Sequence, residues 1–108
     1  MKCLLIALFI IVTGTSITGT ASYYHNKFHG RKTASGIKYD KTKFTAASNK
    51  FNIGDSVKVV NLSNKKEIVV LVNDRMANNG RVIDLSYAAA DSLDFIRQGL
   101  VRVKIELL

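Results

Sequence analysis

Short apolar runs separated by polar breaks fill most of the chain, and their spacing predicts strands. Asp55–Leu62 (DSVKVVNL) and Glu67–Asn73 (EIVVLVN) are rich in valine and isoleucine, with the four polar residues Ser63–Lys66 (SNKK) between them. Two β-branched runs around a short polar break predict a β-hairpin, and Gly54 makes room for a tight turn ahead of it. Near the C-terminus, Leu100–Leu107 (LVRVKIEL) alternates: Val101, Val103, Ile105 and Leu107 share one face, while Arg102, Lys104 and Glu106 share the other. A period of two over eight residues is a half-buried strand. Gly19–Tyr24 (GTASYY), Phe44–Ala47 (FTAA) and Arg81–Leu85 (RVIDL) add three further strands. His25–Lys43 is polar and basic and reads as a long loop or irregular hairpin. Ser86 is placed to cap a helix over Tyr87–Ile96 (YAAADSLDFI), because a serine hydroxyl accepts a backbone N–H from the first turn. Gly99 closes that segment. Six short strands and one small helix predict a closed or nearly closed barrel, since closure removes exposed edges.

The N-terminus follows a different pattern. Lys2 precedes an unbroken apolar run, Cys3–Val12 (CLLIALFIIV), and then small, mildly polar residues, Thr13–Gly19. A basic residue, an apolar stretch and small residues in that order describe a secretory signal peptide. Ten apolar residues are too few for a ~30 Å hydrocarbon core, which needs about 20, so no stable membrane anchor is expected. The division is a signal peptide at 1–18 and one domain at 19–108. Cys3 is the sole cysteine and stands at the start of the apolar run. Processing would leave a mature chain with no disulfide and no cysteine-based metal site. Such a domain relies on its hydrophobic core.

Charge narrows the partners. The chain carries 16 Lys and Arg against 8 Asp and Glu; loss of Lys2 leaves a net charge of +7. A basic surface keeps a protein soluble or meets an anionic partner. Export and the scattering of acids among the bases exclude nucleic acid as the preferred partner, and an anionic envelope polymer fits better. Arg31, Lys32, Lys38, Lys41 and Lys43 form the densest basic cluster. His25 and His29 lie four apart, but Gly30 and the polar surroundings disfavour a helix there, so neither a metal site nor a cofactor is expected. Tyr23 and Tyr24 alternate across a strand, one for the core and one free to stack on a sugar. Asp84, just before Ser86, reads first as a helix-capping residue.

Taken together, the polar breaks carry a resemblance. GTASYY (19–24), FHGRKTASG (28–36), FTAA (44–47), VVNL with Asn64 (59–62), VVLVNDR (69–75) and GRVIDLSYAA (80–89) resemble the RlpA-like (rare lipoprotein A) double-psi β-barrel domain, a relative of the expansin barrel. The motifs cover nearly all of the chain after its leader. The resemblance implies a mainly all-β, six-stranded double-psi barrel with a polysaccharide groove across one face. It also implies endolytic lytic transglycosylase activity on peptidoglycan glycan strands in a bacterial periplasm or cell envelope, with a preference for strands lacking stem peptides. Envelope and cell-division proteins are the candidate protein partners.

A lytic transglycosylase needs no water. One carboxylic acid can protonate the glycosidic oxygen and then, as carboxylate, take the proton of the muramyl C6 hydroxyl, which closes a 1,6-anhydro ring. A hydrolase instead uses two carboxyl groups at set separations. Asp74, in Asn73-Asp74-Arg75, stands at the family's catalytic aspartate position. By the same resemblance Ser48, Asn73, Arg75, Tyr23 and His29 become substrate-binding candidates. Two positions depart from the family. Ser48 stands where histidine is common after Thr-Ala-Ala, and Ile37 stands where glutamate is common after Thr-Ala-Ser-Gly. Ser48 can hydrogen-bond a sugar but cannot carry a proton near neutral pH as histidine does, and Ile37 can do neither. Two functions therefore stay open: the transglycosylase, and a non-catalytic, expansin-like glycan-binding module.

Overall fold

The computed structural model describes residues 16–108. The apolar leader expected at 1–18 lies outside the described residues except for Ser16–Thr18. Six strands are present: β1 (Ser16–Tyr23), β2 (Thr45–Ala47), β3 (Ser56–Asn61), β4 (Glu67–Asp74), β5 (Ile83–Leu85) and β6 (Val101–Leu107), with helix α1 (Tyr87–Ser92) between β5 and β6. They close into a barrel in the order β1-β5-β2-β4-β3-β6. The β1–β5 and β2–β4 pairs are parallel and the other four antiparallel. This is the closed double-psi barrel expected from the sequence.

The alternating residues do what their period demands. Val57 and Val59 of β3, Val70 and Val72 of β4, Ile83 and Leu85 of β5, and Val103 and Ile105 of β6 point into one core with Leu93 and Phe95. Burying each such side chain contributes roughly 1.5–3 kcal/mol. Leu107 was expected on the same inner face, but it sits at the barrel's rim and stays 38% exposed. The β3–β4 hairpin turns where predicted. Asn61 Oδ1 accepts from Ser63 N at 2.8 Å, Asn64 Oδ1 accepts from Lys66 N at 2.9 Å, and Lys65 takes the left-handed φ of 68°. These are turns that an asparagine side chain closes on its own backbone.

Two boundaries differ from the sequence reading by three residues or more. β1 starts at Ser16, three residues before Gly19, because Ser16, Ile17 and Thr18 pair with Glu106, Ile105 and Lys104 of β6. The predicted helix over Tyr87–Ile96 stops at Ser92. The carbonyl of its C-cap residue is captured from outside: Asn61 and Asn64 both donate side-chain N–H bonds to Leu93 O, at 2.8 and 3.0 Å. Asp94 then turns left-handed at φ 60° and Phe95 drops into the core. His25–Lys43 agrees with the sequence reading: it holds a single 3₁₀ turn at Asn26–Phe28 and a bridge between Lys32 and Lys38. It is thus an irregular hairpin that folds back over the barrel.

Candidate functional site

The site is set by a shift of register. Along the parallel β2–β4 pair, Thr45 faces Leu71 and Ala46 faces Val72, but Ala47 faces Asp74. Asn73 is the extra residue, and such a bulge re-aims the side chains beyond it. Ala47 also faces Asp84 of β5, and Asp84 faces Ser22 of β1. Four adjacent strands therefore present a row, Asp74–Ala47–Asp84–Ser22. Neighbouring strands lie about 4.8 Å apart, so only the alanine methyl separates two carboxyl-bearing positions.

The two carboxyl groups live in different surroundings. Asp74 is held by three donors: Tyr24 Oη to Oδ2 at 2.6 Å, and Ala34 N and its own neighbour Arg75 N to Oδ1 at 2.8 and 2.9 Å. Tyr24 is itself buried and stacked on Tyr39, with ring centroids 4.1 Å apart and planes 8° from parallel. The Tyr39 hydroxyl accepts from Tyr87 N at 3.0 Å, which ties the stack to the first residue of α1. Burial, then the bond to Asp74, pushes the Tyr24 phenol far above its ordinary range, so Tyr24 acts as a fixed donor. Asp84 accepts one side-chain bond, from Ser22 Oγ at 3.1 Å. Burial pushes its carboxyl above the usual carboxylate range; the Ser22 bond and the charge of Arg81 work against this shift, and the charge of Asp74 adds to it.

A cleft of about 390 Å³ opens beside this row. Ser22, Tyr24, Phe28, Arg75, Arg81 and Asp84 are among its walls, and Asp74 reaches it through Tyr24. Phe28 stands at its edge with two cations over its ring, Lys27 Nζ at 5.5 Å and the Arg31 guanidinium at 5.3 Å from the centroid. An aromatic side chain flanked by positive charge can meet the apolar face of a sugar and an anionic substituent together.

The structure redistributes the residues singled out by sequence. Asp74 is in the site. Asn73 is the bulge residue; its backbone carbonyl accepts from Ser35 N at 3.1 Å and its own Oδ1 is buried with no protein partner. Ser48 is fully buried, donating to Val82 O at 2.8 Å and accepting from Lys50 N at 3.1 Å, so its hydroxyl is committed to the fold and not to a sugar. Arg75 lines the cleft but spends Nη1 on the carbonyls of Ser48 and Phe51, stapling that loop to the end of β4. His29 lies outside the cleft walls; its Nδ1 accepts from Lys41 N and holds the irregular hairpin. Ile37 sits 68% exposed at a loop tip. Both tyrosines line the cleft; Tyr23 also packs edge-on against Phe95 and Tyr87 and donates to Ile96 O, while its neighbour Tyr24 reaches the carboxylate. Asp84 does not cap the helix. Ser86 does so alone, accepting from Ala89 N at 3.2 Å. Its place in the row was hidden because sequence spacing does not reveal strand pairing across the barrel.

Comparison with known proteins agrees with this geometry. The sequence matches the family described as lytic transglycolase over residues 16–105. It is 50% identical to the endolytic peptidoglycan transglycosylase RlpA of Neisseria meningitidis over 90 residues, which is 82% of this chain and 38% of that protein. The Haemophilus influenzae protein of the same name is 47% identical over 83% of this chain and 32% of its own length. The chain thus spans well under half the length of these curated relatives. Among solved structures, a Streptomyces papain inhibitor superposes with a TM-score of 0.70 at 28% identity, covering 88% of this chain and 96% of its own. An expansin from Clavibacter michiganensis superposes at 0.68 with 18% identity, covering 86% of this chain and half of its own, a likeness of fold alone. With the closed barrel and the aspartate row in place, these matches establish that the chain belongs to the lytic transglycolase family, as an RlpA-like double-psi β-barrel.

Proposed function

We propose that this domain is an endolytic peptidoglycan transglycosylase, acting outside the cytoplasmic membrane and leaving 1,6-anhydro-muramyl ends. The observation that carries the reading is the row Asp74–Ala47–Asp84 beside the cleft, in which two carboxyl groups have contrasting surroundings. Divergent environments of this kind sort an acid from a base. Asp84, which burial favours in its protonated form, suits the donor that protonates the departing glycosidic oxygen. Asp74, anchored by three donors, suits the acceptor that takes the proton of the C6 hydroxyl. As the C6 oxygen bonds to C1, the C1–oxygen bond to the next sugar breaks. The proton lost by Asp84 leaves with that sugar, the proton of the C6 hydroxyl goes to Asp74, and no water is consumed. A proton exchange through solvent then resets the pair. The resemblance alone implied a single-residue route through Asp74; the structure supports the addition of Asp84.

The test is the yield of anhydro-muramyl ends from purified glycan strands, read by mass spectrometry. Asp74→Asn and Asp84→Asn should each lower it by about 10²–10⁴-fold, the usual contribution of a general acid or base, with circular dichroism unchanged. Loss in the Asp74 variant alone would restore the single-carboxyl route. A second reading, a glycan-binding module without catalysis, is favoured by one observation: the positions where the family commonly has histidine and glutamate carry a buried serine and an exposed isoleucine. Binding of strands by wild type with no anhydro ends would select it.

A further inference from the structure

We propose that a second cavity, beside the β3–β4 turn, is a binding site for a short peptide with a free ammonium and a free carboxylate. The cavity measures about 560 Å³ and shares no wall residue with the cleft, and its size lies within the range of small-ligand pockets. Two opposite charges line it, Asp94 and Arg102. Neither joins an ion pair or a side-chain hydrogen bond with another described residue; the ion pairs found run among Lys58, Glu67, Lys104 and Glu106 on the barrel's outer wall. Gln98 and the Ser63 hydroxyl add uncommitted polar groups to the same walls. Leu100, 52% exposed, supplies an apolar surface over buried Phe95.

The frame of this cavity is fixed before any ligand arrives. Asn61 and Asn64 both donate to Leu93 O and use their Oδ1 atoms to close the turn. Among the described residues, only Lys65 and Asp94 combine a side chain with a left-handed backbone, at φ 68° and 60°. Lys65 stands in the turn that borders the cavity and Asp94 in its wall. Unusual backbone of this kind is held by its surroundings and concentrates at binding sites. A cation and an anion left unpaired on the walls of one preformed cavity are complementary to a zwitterion, with carboxylate to Arg102 and ammonium to Asp94. The exposed leucine in the same walls suits an aliphatic side chain of the ligand. A sugar is the poorer occupant, because Phe95 is fully buried and offers no ring face for stacking. This binding does not rest on the function proposed above.

The experiment uses no glycan, so its outcome is independent of the transglycosylase reading. The ¹⁵N-labelled exported protein is titrated with the tripeptide Ala-Leu-Ala, and with the same peptide acetylated and amidated. The free tripeptide should give saturable amide shifts at Ser63, Asp94, Gln98 and Arg102, and the blocked peptide none. Arg102→Gln should weaken binding about tenfold or more, the scale of one charge-assisted hydrogen bond. Asp94→Asn should do likewise while keeping a residue that tolerates the left-handed backbone. Both positions are exposed, so the fold is retained. Absence of saturable shifts, equal binding of the blocked peptide, or shifts confined to the Asp84 cleft would each overturn the proposal.

Discussion

Replacing Tyr24 by phenylalanine removes one atom from the site and tests how Asp74 is held. The ring stays, and with it the stack on Tyr39 at 4.1 Å and the edge contact to Phe28 at 6.2 Å. What goes is the 2.6 Å hydrogen bond to Asp74 Oδ2. A hydrogen bond to a charged group contributes about 1.5–3 kcal/mol. Asp74 is only half-buried and keeps Ala34 N and Arg75 N, so water can replace part of the lost bond. A cost of about 1–2 kcal/mol in urea unfolding follows, at or below the lower end of that range. Tyr24→Leu also forfeits the stack, worth about 0.5–1.5 kcal/mol more, and leaves a cavity. A double-mutant cycle with Asp74→Asn isolates the pair. The coupling between the two positions should be about 1 kcal/mol or more, well above the ~0.3–0.5 kcal/mol scatter of independent sites. Coupling within that scatter, or a Tyr24→Phe protein as stable as wild type, would refute the argument that Tyr24 anchors the carboxylate. If the proposed function also holds, the same variant yields fewer anhydro-muramyl ends with its fold intact.

Three further outcomes are expected. Burial raises the Asp84 carboxyl above its unfolded range, so its contribution to stability is complete below pH ~4 and is lost as pH rises through the raised value; Asp84→Asn, neutral throughout, should therefore be more stable than wild type at pH 7, and denaturation at both pH values should show that advantage disappearing in acid. Gly19 faces Val82 so closely that any β-carbon would overlap the valine side chain; Gly19→Ala should cost about 1–3 kcal/mol, the usual price of overpacking, and Val82→Ala should restore most of it in thermal unfolding. If the leader is removed as the sequence predicts, intact-mass measurement should find a first residue at or before Ser16, since Ser16, Ile17 and Thr18 pair with β6 and Ile17 packs on the core; a mature chain starting at Gly19 would show that these three ladder positions are dispensable.

Sequence by itself was enough for everything governed by local rules. Valine and isoleucine at alternate positions set β3, β4 and β6, because a strand's faces alternate with period two whatever the fold around it. The polar break SNKK set the hairpin turn, and Ser86 set the start of α1. The motif around Asn73-Asp74-Arg75 marked the carboxylate at the end of β4. Everything that joined these pieces needed the tertiary structure. Asp84 and Ser86 are two residues apart and locally equivalent as caps; only the pairing of β5 with β1 and β2 places Asp84 beside Ala47 and leaves the cap to Ser86. Tyr23 and Tyr24 differ only in which face they point to, and the β1 register gives one to Phe95 and the other to Asp74. Ser48 reads as a free hydroxyl until the barrel closes and Val82 O claims it. α1 ends early because two asparagines from a turn some thirty residues earlier take the Leu93 carbonyl. Local propensity acts over a few residues, whereas a site assembled from β1, β2, β4 and β5 depends on which strands meet and in what register, and those are properties of the closed barrel.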